Sequence, residues 1–412
     1  MTAPKGCRLN PLAGALRRLF SRLSPAASAA PPAARQPRRR VSFEVLEQRL
    51  LMSADLLPVL GDVALPDSAP ASQAITVPLT VHNQGDTAAG PVIVGLDARS
   101  VLNPGGPAVR LGQVDVGAVA AGGSSAPLEI VAPLAALAPG AYTLTAVVDP
   151  DAAVTDQNRT NNSVAVPANL IVEGRLGDLP GGGRIGTLQI TEPDATQLTF
   201  TLTGPGYVRV LPQADGWRLD VSQSNATTVL SIAVSNGAAA LRQLNITGSI
   251  GSVLAPGMTF SGQAAISGTI ARLTLGDVTG PSTIAVGGTG TALAFTAGNV
   301  SDLTLTSAGG LGPVTVKQWL DTAAGGKDYI RAPSLATLAV QGDFGASLDL
   351  NGAGVSGLVL STANIQGAIV GGSWNVQGRG GAILAGRIDS PWTASFAGAL
   401  TQGRSCPARP SW

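Results

Sequence analysis

Beyond Gly174 the chain repeats one short phrase: an apolar residue, two of any kind, Leu, one more residue, then a second apolar residue. It reads Ile185/Leu188/Ile190, Leu241/Leu244/Ile246, Ile270/Leu273/Leu275, Val300/Leu303/Leu305, Leu335/Leu338/Val340 and Val355/Leu358/Leu360. The central Leu residues stand 56, 29, 30, 35 and 20 positions apart, and the first interval has room for a further unit around Leu219 and Val221. A unit this short cannot bury its own Leu/Ile face, so unit must stack on unit to make a core. The pattern predicts a β-solenoid or β-helix-like region over residues 174–402, with a second sandwich at 186–240 left open. Composition points the same way: 53 Gly and 29 Pro make turns frequent, and long helices have little room among them. The fold class is all-β.

Ahead of the repeats, residues 56–173 alternate in the manner of half-buried strands. Ile75, Val77, Leu79 and Val81 share one face, and Gln84-Gly85-Asp86 turns the chain. Val92, Val94 and Leu96 repeat the pattern, and Tyr142, Leu144, Ala146 and Val148 follow the turn at Ala138-Pro139-Gly140. Val164, Val166, Leu170 and Val172 close the segment. About seven strands in roughly a hundred residues read as an immunoglobulin-like β-sandwich.

Charge is unevenly placed. The net charge is +1, yet residues 1–50 hold ten Lys or Arg against two acids. A basic head on a mildly acidic body suits a targeting leader rather than a nucleic-acid face. Leu12, Leu16, Leu19 and Leu23 with Arg17, Arg18 and Arg22 form either a short amphipathic helix or a disordered basic leader, taken as residues 1–40. The sequence has no run of apolar residues long enough for a transmembrane helix. Its two cysteines, Cys7 and Cys406, indicate neither a disulfide framework nor a zinc site.

Three stretches carry resemblances. Residues 41–55, through Phe43, Glu44, Leu46, Glu47, Arg49, Leu50, Leu51, Ser53, Ala54 and Asp55, resemble the LEPR-XLL motif of large bacterial surface proteins. Gln48 stands where that motif usually has Pro. Val81-His82-Asn83-Gln84-Gly85, then Pro139-Gly140-Ala141-Tyr142, Asp149 and Asn161-Asn162, resemble the CARDB family of adhesion-related modules. Leu198–Gly206 and Val340–Phe344 are similar to repeat regions found beside LEPR-XLL segments. Together the resemblances imply a bacterial extracellular or cell-surface protein without catalysis. Its implied partners are extracellular carbohydrate, matrix or other cell-surface proteins, and its implied role is structural or adhesive.

One stretch is rich enough in oxygen ligands to hold a hard cation. Asp149, Asp151, Asp156 and Asn158 are candidate calcium ligands, with Asn161 and Asn162 close behind. The spacing is not that of an EF-hand, and the alternative is a solvated hairpin whose Asx side chains cap their own backbone. No other cofactor is expected.

Catalysis finds little support. The lone histidine, His82, cannot build a triad without partners, and Gly325-Gly326-Lys327-Asp328 lacks the leading Gly and trailing Ser/Thr of a phosphate loop. A β-helix polysaccharide-binding or polysaccharide-degrading protein is the alternative. It would need clustered carboxylates, whereas Asp215, Asp220, Asp277, Asp302, Asp321, Asp343, Asp349 and Asp389 are scattered singly along the chain. Lys317, Asp321, Lys327, Asp328 and Arg331 read as a polar loop. Finally, Gly403–Trp412 departs from the repeat and can neither add a rung nor cap one, which predicts a truncated or frameshifted head of a longer protein, the alternative being a genuine short disordered end.

Overall fold

Strands whose alternate residues are apolar form two sheets at the start of the described chain. The computed structural model describes residues 53–322, 328–389 and 391–405, with the backbone alone beyond Thr401. The basic leader, the LEPR-XLL-like segment through Met52, and both cysteines lie outside these residues. In one sheet Ala74–Asn83 pairs antiparallel with Leu56–Leu60 on one side and Leu128–Pro133 on the other. In the other, Ala89–Ser100 lies between Val109–Val119 and Gly140–Val148, and the latter also pairs with Ser163–Ala165 and Leu170–Asp178. Ile75, Val77, Leu79, Val81, Val92, Val94, Leu96, Leu144, Ala146 and Val148 are all buried in one cluster between the sheets. This is the immunoglobulin-like sandwich that the alternation predicts.

The turn residues explain themselves through hydrogen bonds. Asn83 is fully buried, and its Oδ1 accepts from Asp55 N and Gly85 N while its Nδ2 donates to Thr87 O and Val119 O. Gly85 is required because a Cβ there would collide with the backbone of Ser53 and Ala54. Tyr142 donates its hydroxyl to the carbonyl of Ala138 at 2.8 Å, which locks the turn before its own strand.

One strand belongs to both parts of the molecule. Leu170–Asp178 pairs through Leu170 to Val172 with the sandwich, and through Gly174 to Gly177 with Tyr207–Gln213. At the crossing, Glu173 is 3% exposed and accepts from Arg175, Arg209 and Ser68. Burial alone would raise its pKa, but the three hydrogen bonds outweigh it and hold the carboxyl below its usual value.

Past this joint the antiparallel strands Thr187–Thr191, Gln197–Thr203 and Val229–Ser235, and the pair Tyr207–Gln213 and Gly216–Ser224, lead into parallel pairing. From there the chain coils. One parallel stack runs from Ala239–Gly248 through Met258–Ile266, Ser282–Val286, Leu303–Ser307, Tyr329–Ala332, Ser347–Leu350 and Ser373–Val376 to Thr393–Phe396. A second runs from Ile250–Ala255 through Ile270–Leu275, Leu293–Thr296, Leu311–Val316, Leu335–Val340, Leu358–Ile369 and Arg379–Ile388 to Leu400–Ser405. Val278, Val300, Trp319, Phe344 and Ile369 bridge rung to rung as a narrower third stack. The region is a β-solenoid. A single core cluster runs from Leu176 to Ala385, so residues 186–240 share the solenoid's interior.

Three features differ from the sequence pattern. Partners such as Ala264 and Ile284 stand roughly twenty residues apart, a shorter turn than the Leu intervals implied. The reason is that each turn carries two such apolar faces: Leu244 and Leu303 lie in the first stack, whereas Leu273, Leu338 and Leu358 lie in the second. The phrase also straddles corners, since Val300 belongs to the third stack, and Ile185 and Leu358 are exposed. Last, the strand Leu400–Ser405 pairs parallel with Arg379–Ile388, so the ladder continues three residues into the segment read as an out-of-pattern tail.

Inside the solenoid the large side chains meet edge to face. Phe295, Trp319, Phe344, Trp374 and Trp392 form a continuous line with centroids 6.4, 6.0, 5.9 and 5.3 Å apart. Such contacts contribute about 0.5–1.5 kcal/mol each beyond area burial.

Candidate functional site

Three places gather side chains with chemistry. The first is the oxygen-rich stretch at the end of the sandwich. Asp149 is buried, and its backbone is left-handed at φ 46. Its carboxylate accepts from Ala153 N and Val154 N at 2.8 and 3.0 Å and pairs with Arg159 at 3.0 Å. Asn158 caps the short 3-10 turn Arg159–Asn161 by accepting from Thr160 N and Thr160 Oγ1. Asp151 is exposed to solvent. Asp156 accepts from Asn158 N, Leu56 N and Asn162 Nδ2. Asp149, Asp151 and Asp156 do not bring their carboxylates into one group, because among the described residues only another trio does.

That trio is Asp302, Asp321 and Asp328, whose nearest carboxylate oxygens lie within 4.8 Å of one another. Coiling makes it. Asp302 sits at a left-handed corner, φ 58, and accepts from Thr322 N and Thr322 Oγ1, both at 2.8 Å, one turn later. Asp328 is 3% exposed and accepts from the indole N–H of Trp319 at 2.7 Å. Burial pushes Asp328 up to about 7; Trp319 and the Leu303 backbone oppose the shift, and Asp321 and Asp302 add to it. Asp302 and Asp321 read in the sequence as scattered singly, and the structure corrects that by bringing both to Asp328, a residue of the polar loop. A twenty-residue period would have revealed the neighbourhood of Asp302 and Thr322, but the Leu spacing concealed it.

The third place is a groove of about 780 Å³ beside the joint. Leu102 and Asn103 of the sandwich face Glu192, Asp194, Asp215, Trp217 and Arg242 of the repeat region across it. Trp217 donates its indole N–H to Glu192 at 2.8 Å, and Arg242 pairs with Asp215. Burial raises the Glu192 pKa, and nearby Asp194 adds to the rise. Asp194 itself is held low, first by the backbone N–H of Thr196. None of these residues is singled out by motif, because the groove is assembled from segments roughly a hundred residues apart. His82 is half-buried and shares a 3.0 Å hydrogen bond with Ser124 Oγ.

The sandwich geometry, the buried Asn83 ahead of Gly85, and the Tyr142 lock coincide with a match of residues 53–166 to the CARDB family. A CARDB domain occupies this part of the chain. Ser53, Ala54 and Asp55, which the sequence assigns to the LEPR-XLL-like segment, are built into that domain: Ser53 N donates to Asp86, and Ala54 bridges Asp156.

Among solved structures, the CARDB domain of a Pyrococcus furiosus protein, in complex with di-metal ions, is 18% identical with a TM-score of 0.22. The match covers 29% of this chain and 94% of that one. A domain from a Methanosarcina acetivorans protein, whose name provisionally places it at the cell surface, is 26% identical with a TM-score of 0.20. It covers 28% of this chain and 92% of its own. The sporulation control protein Spo0M of Bacillus subtilis is 11% identical with a TM-score of 0.21, covering 40% of this chain and 78% of that protein. No curated protein matches the chain. Among the described residues, no helix is long and apolar enough to cross a membrane.

Proposed function

We propose that this chain is an exported bacterial cell-surface protein with a structural and adhesive role, and that it is not an enzyme. The observation that carries the reading is the single strand Leu170–Asp178, which joins the CARDB domain to the solenoid core without an intervening linker. The shared strand leaves no linker between the two parts, and a solenoid whose interior is one apolar cluster is suited to display rather than to turnover. The basic leader and the LEPR-XLL-like segment supply the export signal in this account. The ligands are extracellular carbohydrate, matrix or other surface proteins. The purified full chain, labelled and incubated with extracellular polysaccharides, matrix proteins and whole cells, should bind at least one class saturably. Absence of saturable binding to all of them would remove the adhesive part of the reading.

The groove favours a second reading, a polysaccharide-binding or polysaccharide-degrading protein. Glu192 is pushed up while Asp194 is held down, and opposed carboxyl shifts beside a groove are an arrangement that acid/base chemistry on sugars can use. Release of reducing or unsaturated sugars from pectin or alginate, abolished by Glu192→Gln, would establish it; no release leaves the first reading in place.

A further inference from the structure

The charged residues that line the groove beside the joint are Glu192, Asp194, Asp215 and Arg242. Arg242 is already engaged by the wall itself. Its Nη2 pairs with the Asp215 carboxylate, its Nε donates to Asp215 O at 3.1 Å, and its Nη1 donates to Ser261 Oγ. Arg242 and Asp215 cancel, and what remains is the charge of Glu192 and Asp194. Neither takes part in an ion pair among the described residues.

Asp194 is exposed and Glu192 half-buried. Neutral donors orient both without balancing their charge: Thr196 N donates to Asp194 at 2.9 Å, and the Trp217 indole donates to Glu192 at 2.8 Å. A carboxylate has room for further donors beyond these. Burial raises the Glu192 carboxyl, Trp217 opposes the rise, and the Asp194 charge adds to it. A cation brought into the groove relieves that repulsion.

The walls decide which kind of cation. Leu102 of the sandwich is 48% exposed, and with Pro193 and Pro212 it gives the groove an apolar side. A lysine or arginine side chain lays its apolar stem on such a surface and keeps its charged tip at a polar rim. A metal ion fits less well, because among the described residues carboxylates gather closely only at Asp302, Asp321 and Asp328. A sugar also fits less well. Trp217 is the aromatic residue of the lining, and at 3% exposure it has no ring face free for stacking.

We propose that this groove binds a basic, extended segment of another protein, with its cationic side chains at Glu192 and Asp194 and their stems against Leu102. The volume of about 780 Å³ lies within the range of ligand clefts. The sandwich and the repeat region both supply walls, so the partner touches both parts of the molecule. The proposal rests on the surface-protein reading for where the partner is met, and it makes that partner a protein rather than a polysaccharide.

The test is calorimetric titration of the purified full chain with pentalysine at pH 7 and low salt. Wild type should bind saturably, and binding should weaken severalfold as sodium chloride rises from about 50 to about 500 mM. Fully acetylated pentalysine should not bind. Glu192→Gln and Asp194→Asn keep an acceptor for Trp217 and Thr196 and remove only charge. Each should weaken binding about threefold, and the two together about tenfold. Leu102→Lys, at an exposed position, should abolish binding and serves if a charge-removing variant does not fold. No saturable heat in wild type would overturn the proposal, as would full binding by the double variant and by Leu102→Lys. Tighter binding of glucosamine or uronate oligomers than of pentalysine, lost in Glu192→Gln, would overturn it in favour of a sugar ligand. If the double variant binds cells or matrix proteins as wild type does, the groove proposal falls while the adhesive reading stands.

Discussion

Trp319 donates its indole N–H to Asp328 at 2.7 Å, with both side chains buried in the solenoid. The bond gives the indole nitrogen an acceptor inside an otherwise apolar line of rings, but it places a carboxyl where ionisation is costly. Burial, with Asp321 and Asp302 nearby, raises that carboxyl to about 7 from an ordinary 3.8. A raised acid favours the fold in its neutral form. Its contribution is complete at low pH and is lost progressively as pH climbs from about 4 through 7. The Tm of wild type should therefore fall between pH 5 and pH 8, and Asp328→Asn should flatten that slope whatever it does to the absolute Tm. A slope unchanged in the variant would place the titrating group elsewhere.

Phe344 touches both Trp319 and Trp374 and is fully buried. Phe344→Ala should cost about 3–5 kcal/mol, read by chemical denaturation. Because each turn of a solenoid contacts chiefly its neighbours, hydrogen exchange should quicken in the turns beside residue 344. The CARDB domain should keep its protection, and uniform loss across the chain would contradict the local picture.

Glu173 opposes Asp328 in sign. Its carboxyl is held low by Arg209, Arg175 and Ser68 against the pull of burial, so its contribution is present at neutral pH and lost as pH falls below the ordinary value of 4.5. Glu173→Ala leaves Arg175 and Arg209 without their anion at the joint. A loss of about 2–3 kcal/mol at pH 7 is expected, reduced because both Arg residues are partly exposed. Limited proteolysis should then cut near residue 173, where wild type resists.

Asn83 makes all its side-chain hydrogen bonds inside the CARDB domain, two donated and two accepted. Asn83→Leu, close in volume, should still cost about 2–4 kcal/mol, since it strands four backbone groups. A variant as stable as wild type in urea would show that solvent replaces those bonds freely.

The sandwich was legible because period-two alternation is a local signal: Ile75, Val77, Leu79 and Val81 point inward as the sequence implies. The solenoid was legible as a class but not in its period. Leu244 and Leu273 look equivalent in sequence yet occupy different faces, and only rung-to-rung pairing separates them. The acid trio and the groove were hidden for the same reason. Asp302 meets Thr322 by coiling, and Glu192 meets Trp217 through antiparallel strands, so neither proximity leaves a motif in the linear chain. In the oxygen-rich stretch the residue types were visible, but the bond from Asn161 to Asp55, contributed from the far end of the domain, was not.

The most direct measurement of the central claim is antibody labelling of intact, unpermeabilised bacterial cells that express the full chain, with a tag placed in the exposed loop at Gly181–Gly183. Strong surface labelling that extracellular protease removes is expected, together with its loss when residues 1–52 are deleted. Labelling that appears only after permeabilisation, unchanged by that deletion, would contradict it.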